Sequence, residues 1–211
     1  MIKKLAYSIG RNDEKPNIEL AVELTENEDL KGIAEIVNGL NDSVEQIAND
    51  CIKVLYEIGE RKPQLIAEYV DVFIQLLNSR NNRLVWGAMT ALSKIAFLKP
   101  QRIFDNLEII IKAYKKGSVI TVDNSISVFA ALAKAGSEFN KVVFPLLIKH
   151  LENCRSKEVA QHSERAFVCI NHKNKEDFID VLNKRYDSLT DSQKKRIAKI
   201  IKRTKEERYL L

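Results

Sequence analysis

Apolar and small residues recur along this chain with the period of an α-helix. In the stretch 84–99 they occur at offsets 0, 4, 7, 8 and 11, which are Leu84, Ala88, Ala91, Leu92 and Ile95. These offsets return to one face of a helix with about 3.6 residues per turn. The pattern therefore predicts an amphipathic helix that buries one face.

The same five offsets fit three more segments, and offset 4 always holds a small residue. The copies begin at Val44, Thr121 and Val159, so successive copies are 40, 37 and 38 residues apart. Their other template positions are Ala48, Cys51, Ile52, Leu55; Ser125, Val128, Phe129, Leu132; and Ser163, Ala166, Phe167, Ile170. Units of this size with two helices each cannot bury their apolar faces alone, so stacking of helical pairs is expected.

The helices between the turn signals can be placed in order. After Pro16 a short helix is predicted over 17–24, since proline is well suited to a helix start. First helices of the pairs are predicted over 30–40, 65–77, 103–114, 142–151 and 178–186. Second helices are predicted over 41–59, 84–99, 121–135, 159–170 and 191–208.

Several residues indicate where these helices begin, end and face the core. Capping boxes are expected where an N-cap residue is followed three positions later by Glu or Gln, at Asp42 with Glu45 and at Thr190 with Gln193. Gly59 and Gly136 are expected to stop the helices that precede them. The first helix of the first pair should bury Leu30, Ile33, Val37 and Leu40.

The second-helix pattern V-x3-A-x2-A-L-x2-I resembles that of the HEAT-repeat family over residues 29–189, and Pro145 within a first helix is also similar to that family. The resemblance implies an all-α, right-handed α-solenoid of about five stacked helical hairpins in a single domain. Residues 1–28 would then form an irregular N-terminal cap, and 190–211 a basic C-terminal capping helix. Armadillo arrays, which add a third short helix, and tetratricopeptide arrays, with repeats of about 34 residues, are the competing classes.

Composition adds a charge asymmetry to this picture. Of the 211 residues, 45% are hydrophobic and 30% charged, as in globular proteins. Residues 1–60 carry six Lys/Arg and 13 Asp/Glu, a net charge of −7, whereas 61–211 carry 28 and 16, a net charge of +12. The basic part is either a binding surface for a polyanion or an ordinary solvated surface.

Targeting signals and cysteine usage favour a cytoplasmic protein without a membrane partner. No apolar run approaches the roughly 18 residues that a membrane span requires, and the N-terminus lacks the apolar core of a signal peptide. Cys51, Cys154 and Cys169 are odd in number and show no paired spacing, so reduced thiols are expected.

The resemblance to HEAT arrays implies that the second helices line a concave groove, with offsets 1, 2, 5 and 9 facing it. Offset 2 is occupied by Gln46, Trp86, Asp123, Gln161 and, in the last helix, Lys195. Trp86 is the only tryptophan and Arg83 lies one turn before it, residue types enriched in interface hot spots. We therefore predict another protein or a peptide as partner, bound by Trp86, Arg83, Gln46, Asp123 and Gln161. The alternative is that the Trp86 ring fills a gap between neighbouring second helices.

The C-terminal segment is a candidate phosphate-binding surface. Residues 190–211 contain eight Lys/Arg and three acidic residues. Helical spacing aligns Lys195, Lys199 and Lys202, with Lys194 beside them, as contacts along a nucleic-acid backbone require. Sequence-independent nucleic-acid binding is the alternative function, and a solvated terminal cap is the structural explanation for the same charges.

Metal and cofactor chemistry find little support in the sequence. His150, Cys154, His162, Cys169 and His172 fall within 23 residues but lack the short paired spacing of a zinc motif, so no metal site is predicted. No glycine-rich phosphate loop and no G-x-S-x-G elbow occurs, and no cofactor is expected.

Two enzyme families that share helical repeats can be compared on their own residues. The adjacent His–Glu pairs that bind iron in HEAT-repeat hydroxylases do not occur here. In helical-repeat DNA-alkylation glycosylases a groove tryptophan is followed on the same helix by the catalytic aspartate. Here Trp86 is followed by Thr90, and the nearest groove carboxylate is Asp123 in the next repeat. A non-catalytic scaffold is therefore predicted, and DNA binding by an inactive relative stays open.

Overall fold

The computed structural model describes residues 1–206, and every regular element in this part of the chain is helical. The α-helices are α1 (Lys15–Glu26), α2 (Leu30–Asn38), α3 (Glu45–Arg61), α4 (Val70–Leu76), α5 (Asn82–Ile95), α6 (Pro100–Phe104), α7 (Leu107–Lys116), α8 (Val119–Ala135), α9 (Ser137–Asn153), α10 (Ser156–Ala166), α11 (Lys175–Arg185) and α12 (Asp191–Lys205). Short 3-10 segments lie at Ile2–Lys4, Tyr7–Ile9, Gly39–Asn41, Pro63–Leu65, Ala67–Tyr69, Phe167–Cys169 and Tyr186–Ser188. The chain divides into two compact units, which meet in sequence between Ser125 and Ile126 inside α8.

In the N-terminal unit, 1–125, the second helices α3 and α5 pack directly against each other. All five template positions of α5 are buried, and so are those of α3 except Val44, which precedes the helix and is half-buried. The two helices approach closely at Gly87, where a Cβ atom would lie 2.6 Å from Ile52 Cγ1. The repeated apolar face therefore forms the core, as the template predicts.

Two prolines add short helical segments before the first helices. Pro63 opens the 3-10 segment Pro63–Leu65 ahead of α4, and Pro100 opens α6 ahead of α7. Proline suits such starts because its fixed φ and missing N–H cost nothing in a first turn. The predicted single helix over 103–114 is wrong, because α6 and α7 are separate helices. These repeats thus have three helical pieces, not two.

The C-terminal unit, from residue 126 on, contains the rest of α8 and the helices α9 to α12. In it α10 packs against α12, and α9 against α11. Pro145 lies inside α9, as expected. The hydroxyl of Ser163, at the small template position, donates to the Val159 carbonyl oxygen at 2.6 Å, so this polar side chain is buried with its hydrogen bond satisfied.

The helix boundaries confirm some of the predicted capping boxes and helix ends and contradict others. The capping box at Thr190 and Gln193 is present, whereas the one at Asp42 and Glu45 is wrong: Asp42 accepts from the Val44 N–H, and α3 begins only at Glu45. Gly136 follows the end of α8, as predicted.

Other boundary predictions fail because tertiary packing overrides the local signal. Gly59 is buried inside α3, since a Cβ there would lie 2.7 Å from Ile66 Cδ1, and the helix runs on to Arg61. Leu30 is 62% exposed at the start of α2, not part of the core. The last helix is observed to Lys205, and its predicted end at Arg208 lies outside the described residues.

The exposed face of the second helices is narrower than predicted, because not all of offsets 1, 2, 5 and 9 face outward. Met89 at offset 5 of α5 and Ala160 at offset 1 of α10 are fully buried. Each second helix contacts neighbours on more than one side, so its buried arc extends beyond the five template positions. In the described part of the chain, no helix has the length and apolar character needed to span a membrane.

Candidate functional site

The outward face of α3 and α5 in the N-terminal unit gathers three of the five predicted partner-binding residues, Gln46, Arg83 and Trp86. We call the face formed by Gln46, Asn49, Lys53, Tyr56, Arg83 and Trp86 the α3–α5 surface. Gln46 is exposed, whereas Arg83 and Trp86 are half-buried. Trp86 lies on the same side of α5 as Arg83 because residues three apart are neighbours on a helix.

An aromatic pair occupies the centre of this surface. The rings of Tyr56 on α3 and Trp86 on α5 have centroids 5.8 Å apart with planes tilted by 48°, a favourable geometry for an aromatic pair. Each ring carries a cation: the Arg83 guanidinium lies 5.0 Å from the Trp86 centroid, and Lys53 Nζ lies 4.9 Å from the Tyr56 centroid. Trp86 thus packs across neighbouring second helices and keeps part of its ring accessible.

A chain of ion pairs borders the aromatic pair. Lys53 Nζ lies 2.9 Å from Glu14 and 2.8 Å from Glu57, although the Lys53 side chain is only 8% exposed. Arg61 pairs with Glu57 at 2.6 Å, and Arg83 pairs with Glu14. Both carboxylates are therefore shared between two cations, and the network joins α3 and α5 to Glu14 at the start of α1.

The network changes the pKa values of its members in the directions that stabilise the charges. Burial alone would lower the pKa of Lys53, but hydrogen bonds with Glu57, Glu14 and Tyr56 outweigh it and raise that pKa. Burial opposes ionisation of Glu14 and Glu57 too, yet the bonds from Lys53, Arg83 and Arg61 lower the pKa of both carboxyls. The network is thus fully charged at neutral pH.

Gln46 and Arg83 also line an open cavity of about 300 Å³ between α3 and the N-terminal segment. The other lining residues are Ala6, Tyr7, Arg11, Asn12, Asp13, Glu14, Asn49 and Asp50. Three carboxylates and two guanidinium groups therefore border the cavity. Asp50 is held in place, since its two oxygens accept from the Tyr7 backbone N–H at 2.8 Å and from the Asn17 side chain at 2.7 Å.

Polar side chains join successive second helices beside the aromatic pair. Asn81, the N-cap of α5, donates through Nδ2 to Asn49 Oδ1 at 2.8 Å. Further along, Asn124 on α8 donates to the Thr90 hydroxyl oxygen at 2.9 Å. These contacts fix the side chains that border Trp86, so the surface is preformed.

Thr90 occupies the position where the glycosylase pattern has an aspartate. Its hydroxyl donates to the Trp86 carbonyl oxygen at 2.8 Å and accepts from Asn124, so its hydrogen bonds are used within the fold. The other two predicted partner residues, Asp123 on α8 and Gln161 on α10, are half-buried and belong to different units. Their roles stay predictions.

The predicted phosphate-binding lysines lie on α12 of the C-terminal unit. Lys195, Lys199 and Lys202 are exposed on the side opposite the buried Ile197, Ile200 and Thr204. Within residues 1–206 these three lysines have no ion-pair partner. Lys194 is half-buried, with its Nζ 5.5 Å from the Tyr186 ring centroid.

The histidines and cysteines converge more than their spacing suggests. His150, Cys154 and His162 offer ligand atoms that all lie within 4.8 Å of one another, whereas Cys169 and His172 are not part of this group. Cys51 and Cys169 are buried, and burial raises the pKa of each thiol to about 12, so neither is a reactive thiolate at neutral pH.

Sequence reasoning missed Asn49, Lys53 and Tyr56 of the α3–α5 surface, and Glu14, Glu57 and Arg61 of its network. Lys53 stands at offset 9 of its template copy, a position expected to face outward, and Tyr56 lies one turn further along the same helix. These two were therefore within reach of the periodicity. Glu14 lies 69 residues from Arg83 along the chain, and only the tertiary fold brings it to the surface.

Comparison with solved structures shows that the fold is a helical repeat. No protein-family model matches the chain, and no curated protein matches it. A designed armadillo repeat protein in complex with the peptide (KR)4 is similar with a TM-score of 0.66 at 15% identity, over 95% of this chain and 98% of that one. Computationally designed armadillo repeat proteins for modular peptide recognition give 0.64 at 15% identity, over 96% and 99%. An engineered protein solved as a structural-genomics target gives 0.64 at 18%, over 98% and 97%.

At these identities the likeness concerns the fold alone. The predicted all-α, helical-repeat solenoid is confirmed, and two of these three neighbours are designed armadillo repeat proteins, the class that the sequence left as a competitor. The short helical pieces at Pro63 and Pro100 agree with that class, since a third short helix is its mark. The K-P-Q sequence at both sites, 37 residues apart, was the available signal.

Proposed function

We propose that this protein is a non-catalytic scaffold that binds an extended peptide segment of a partner protein across the α3–α5 surface. The observation that carries the proposal is the accessible Tyr56–Trp86 pair, set between fixed polar groups and the cavity lined by Gln46 and Arg83. Aromatic and arginine side chains at the centre of a surface are the residues that anchor partners. Similar solved structures include designed proteins that bind peptides, which supports this class of partner.

The surface is suited to binding because little of it has to be ordered. The network holds Lys53 and Arg83 against the rings, and Asn49 is tied to Asn81. A preorganised surface loses less side-chain entropy when the partner binds. Gln46 is exposed and keeps its carboxamide available to a peptide backbone.

Charge favours a basic peptide. Residues 1–60, which supply Glu14 and all of α3 up to Glu60, carry a net charge of −7. The cavity adds Asp13 and Asp50 to Glu14, against Arg11 and Arg83. Electrostatic complementarity of this kind selects among partners and speeds association more than it adds affinity.

The single tryptophan makes the proposal directly testable, because fluorescence excited at wavelengths that tyrosine does not absorb reports on Trp86 alone. We expect titration with the peptide (KR)4 to change that fluorescence saturably and an octapeptide of glutamates to leave it unchanged. Labelled (KR)4, followed by anisotropy, should bind at least about thirtyfold more weakly to Trp86→Ala, since a hot-spot truncation costs about 2 kcal/mol or more.

A matched control is available on α5's C-terminal flank. Phe97 is an aromatic residue that is 58% exposed outside the α3–α5 surface, and Phe97→Ala should bind as the wild type does. Equal affinity of wild type and Trp86→Ala would remove the α3–α5 surface as the site. Loss of binding in both variants, or no binding of (KR)4 at low salt, would also contradict the proposal.

The outward lysines of α12 favour a second candidate function, sequence-independent binding of nucleic acid. Lys195, Lys199 and Lys202 lie on one side of the helix and form no salt bridge with a carboxylate of the described residues. Such a row releases counterions when it contacts a phosphate backbone, so affinity should fall steeply with salt.

A duplex DNA gel shift at two salt concentrations tests this candidate. Binding should weaken with salt and be lost when Lys195, Lys199 and Lys202 are replaced by glutamate. The control replaces the exposed Lys112, Lys115 and Lys116 of α7 by glutamate, which changes the net charge equally. An equal loss in both triple variants, or no shift at low salt, would count against α12 as a phosphate-binding site.

A further inference from the structure

A buried pair of histidines lies in the C-terminal unit and joins two of its helices. His150 on α9 is 6% exposed and His162 on α10 is fully buried. Their ring atoms His150 Nε2 and His162 Nδ1 are 2.7 Å apart, which is hydrogen-bond distance. One ring must donate and the other accept, so the two nitrogens share a single proton between them.

Cys154 completes a three-residue group. It follows α9 directly, one turn after His150, and its backbone N–H donates to the His150 carbonyl oxygen at 2.8 Å. Residues four apart face the same side of a helix, which brings the thiol to the imidazole. One ligand atom from each of the three residues lies within 4.8 Å of the others.

The backbone that carries Cys154 is held by Arg185 of α11. The guanidinium donates to the carbonyl oxygens of Leu151 at 2.8 Å, Glu152 at 2.7 Å and Cys154 at 2.7 Å. The Leu151 and Glu152 carbonyls are among those that the end of α9 leaves without helical partners. The position of Cys154 is therefore fixed by the fold, not by a flexible loop.

Two imidazole nitrogens and a thiolate are a donor set that Zn²⁺ prefers. Ligand atoms around a tetrahedral zinc ion at about 2.0 Å for nitrogen and about 2.3 Å for sulfur are about 3.3–3.6 Å apart. The histidine nitrogens need to separate by well under about 1 Å from their hydrogen-bonded distance to reach this spacing, and the Cys154 sulfur, within 4.8 Å of both, has to approach them by about 1 Å. Cys154 is half-exposed, so an ion can reach the three ligands from solvent past this residue.

We propose that His150, Cys154 and His162 form a zinc site with three protein ligands and a solvent molecule in the fourth position. The ion takes the place of the proton that the two rings share. That proton moves to the other nitrogen of the ring that carries it. The thiol proton is released to solvent as the zinc–sulfur bond forms. The sequence-based expectation of no metal site rested on spacing alone, whereas the tertiary fold joins α9 to α10 at these residues.

Cobalt substitution tests the site in the 211-residue chain purified without a histidine tag. We expect one Co²⁺ per chain with a thiolate-to-cobalt charge-transfer absorption, and displacement of the cobalt by Zn²⁺. Cys154→Ser should lose this absorption, and both Cys154→Ser and His162→Gln should bind at least about tenfold more weakly. Zn²⁺ should raise the thermal midpoint of the wild type and not that of Cys154→Ser, since binding to the native state stabilises it.

Two controls separate the site from adventitious binding. His172 is exposed and outside the group, and Cys169 is a buried cysteine outside it, so His172→Ala and Cys169→Ala should behave as the wild type does. Circular dichroism confirms that each variant is folded before metal is added. A wild type without the charge-transfer band at excess Co²⁺, or a band that persists in Cys154→Ser, would overturn the proposal and leave a hydrogen-bonded core pair.

Discussion

Among the described residues, cationic side chains are paired with carboxylates in one region of this protein and unpaired in another. On the α3–α5 surface, Lys53 and Arg83 lie against aromatic rings and share the carboxylates Glu14 and Glu57. On α12, Lys195 and Lys202 extend from a face opposite the core and have no carboxylate partner among residues 1–206. The same residue types thus serve internal cohesion in one region and leave charge available in the other.

The difference teaches that local charge density is a poor guide to a binding surface. The chain is acidic over 1–60, yet its most buried lysine lies there, because two carboxylates and a tyrosine ring surround it. Solvent-exposed lysines cost nothing to keep unpaired, whereas a buried one has to be compensated. Substitutions in the ion-pair network of the α3–α5 surface should therefore lower stability, whereas substitutions of the exposed α12 lysines should act on binding alone.

The largest effect is expected from Lys53→Met, which keeps the side-chain length and removes the charge. Glu14 and Glu57 would lose their shared cation. Removing one partner of a partly buried ion pair lowers the free energy of unfolding by about 2–4 kcal/mol. Urea unfolding followed by circular dichroism measures the change in the free energy of unfolding.

The matched control for Lys53→Met is Lys62→Met. Lys62 pairs with Glu28 on the surface, where both side chains are well exposed, so its loss should cost less than about 0.5 kcal/mol. Similar losses in the two variants would show that the Lys53 network is no stronger than a surface ion pair, and the contrast between regions would fail.

The next largest effect is expected at the contact between α3 and α5. Gly87→Ala would place a Cβ atom 2.6 Å from Ile52 Cγ1, and overpacking of this kind costs about 1–3 kcal/mol. Gly136→Ala is the control, because its new Cβ would lie 3.6 Å from Phe139 and the backbone φ is extended. Urea unfolding that finds the two variants equally stable would contradict the close approach of α3 and α5.

These two positions also show how far the sequence reaches. Periodicity predicted the helices and the buried face of α5, since Leu84, Ala88 and Ile95 repeat at helical spacing in a pattern that the fold obeys. It did not predict why Gly87 is glycine, because the reason is Ile52 on another helix. Local signals also gave the capping box at Thr190, where both partners lie within one turn.

The candidate sites were less predictable for the same physical reason. Trp86 and Arg83 could be named because they share one helix, whereas Glu14 reaches Arg83 only through the packing of α1 on α3. His162 lies 12 residues from His150, which is not the short spacing of a metal-binding motif. The rings come together because a turn joins α9 to α10. Groups assembled from one helix are visible in a sequence, and groups assembled across helices are not.

A smaller effect is expected from acid. The carboxyls Glu14 and Glu57 have folded-state pKa values below the ordinary value of 4.5, so they bind protons more readily in the unfolded chain. Their contribution is present above that ordinary value and is lost as pH falls through the folded-state pKa. Urea midpoints between about pH 6 and about pH 3 should therefore decline more steeply for the wild type than for Glu57→Gln. Parallel decline in the two proteins would show that the network does not link protonation to folding.

The smallest effect on stability is expected from the α12 lysines, and it sharpens the comparison most. Replacing Lys195, Lys199 and Lys202 together by alanine removes three charges, yet each side chain is exposed and has no ion-pair partner in residues 1–206. Surface changes of this kind stay within about 0.5 kcal/mol, and alanine's helix propensity compensates part of any loss. Thermal unfolding should thus give nearly the wild-type midpoint, even where DNA binding is lost. A drop comparable with that of Lys53→Met would mean that these lysines hold α12 in place, and the charge on this helix would then belong to the fold and not to a partner.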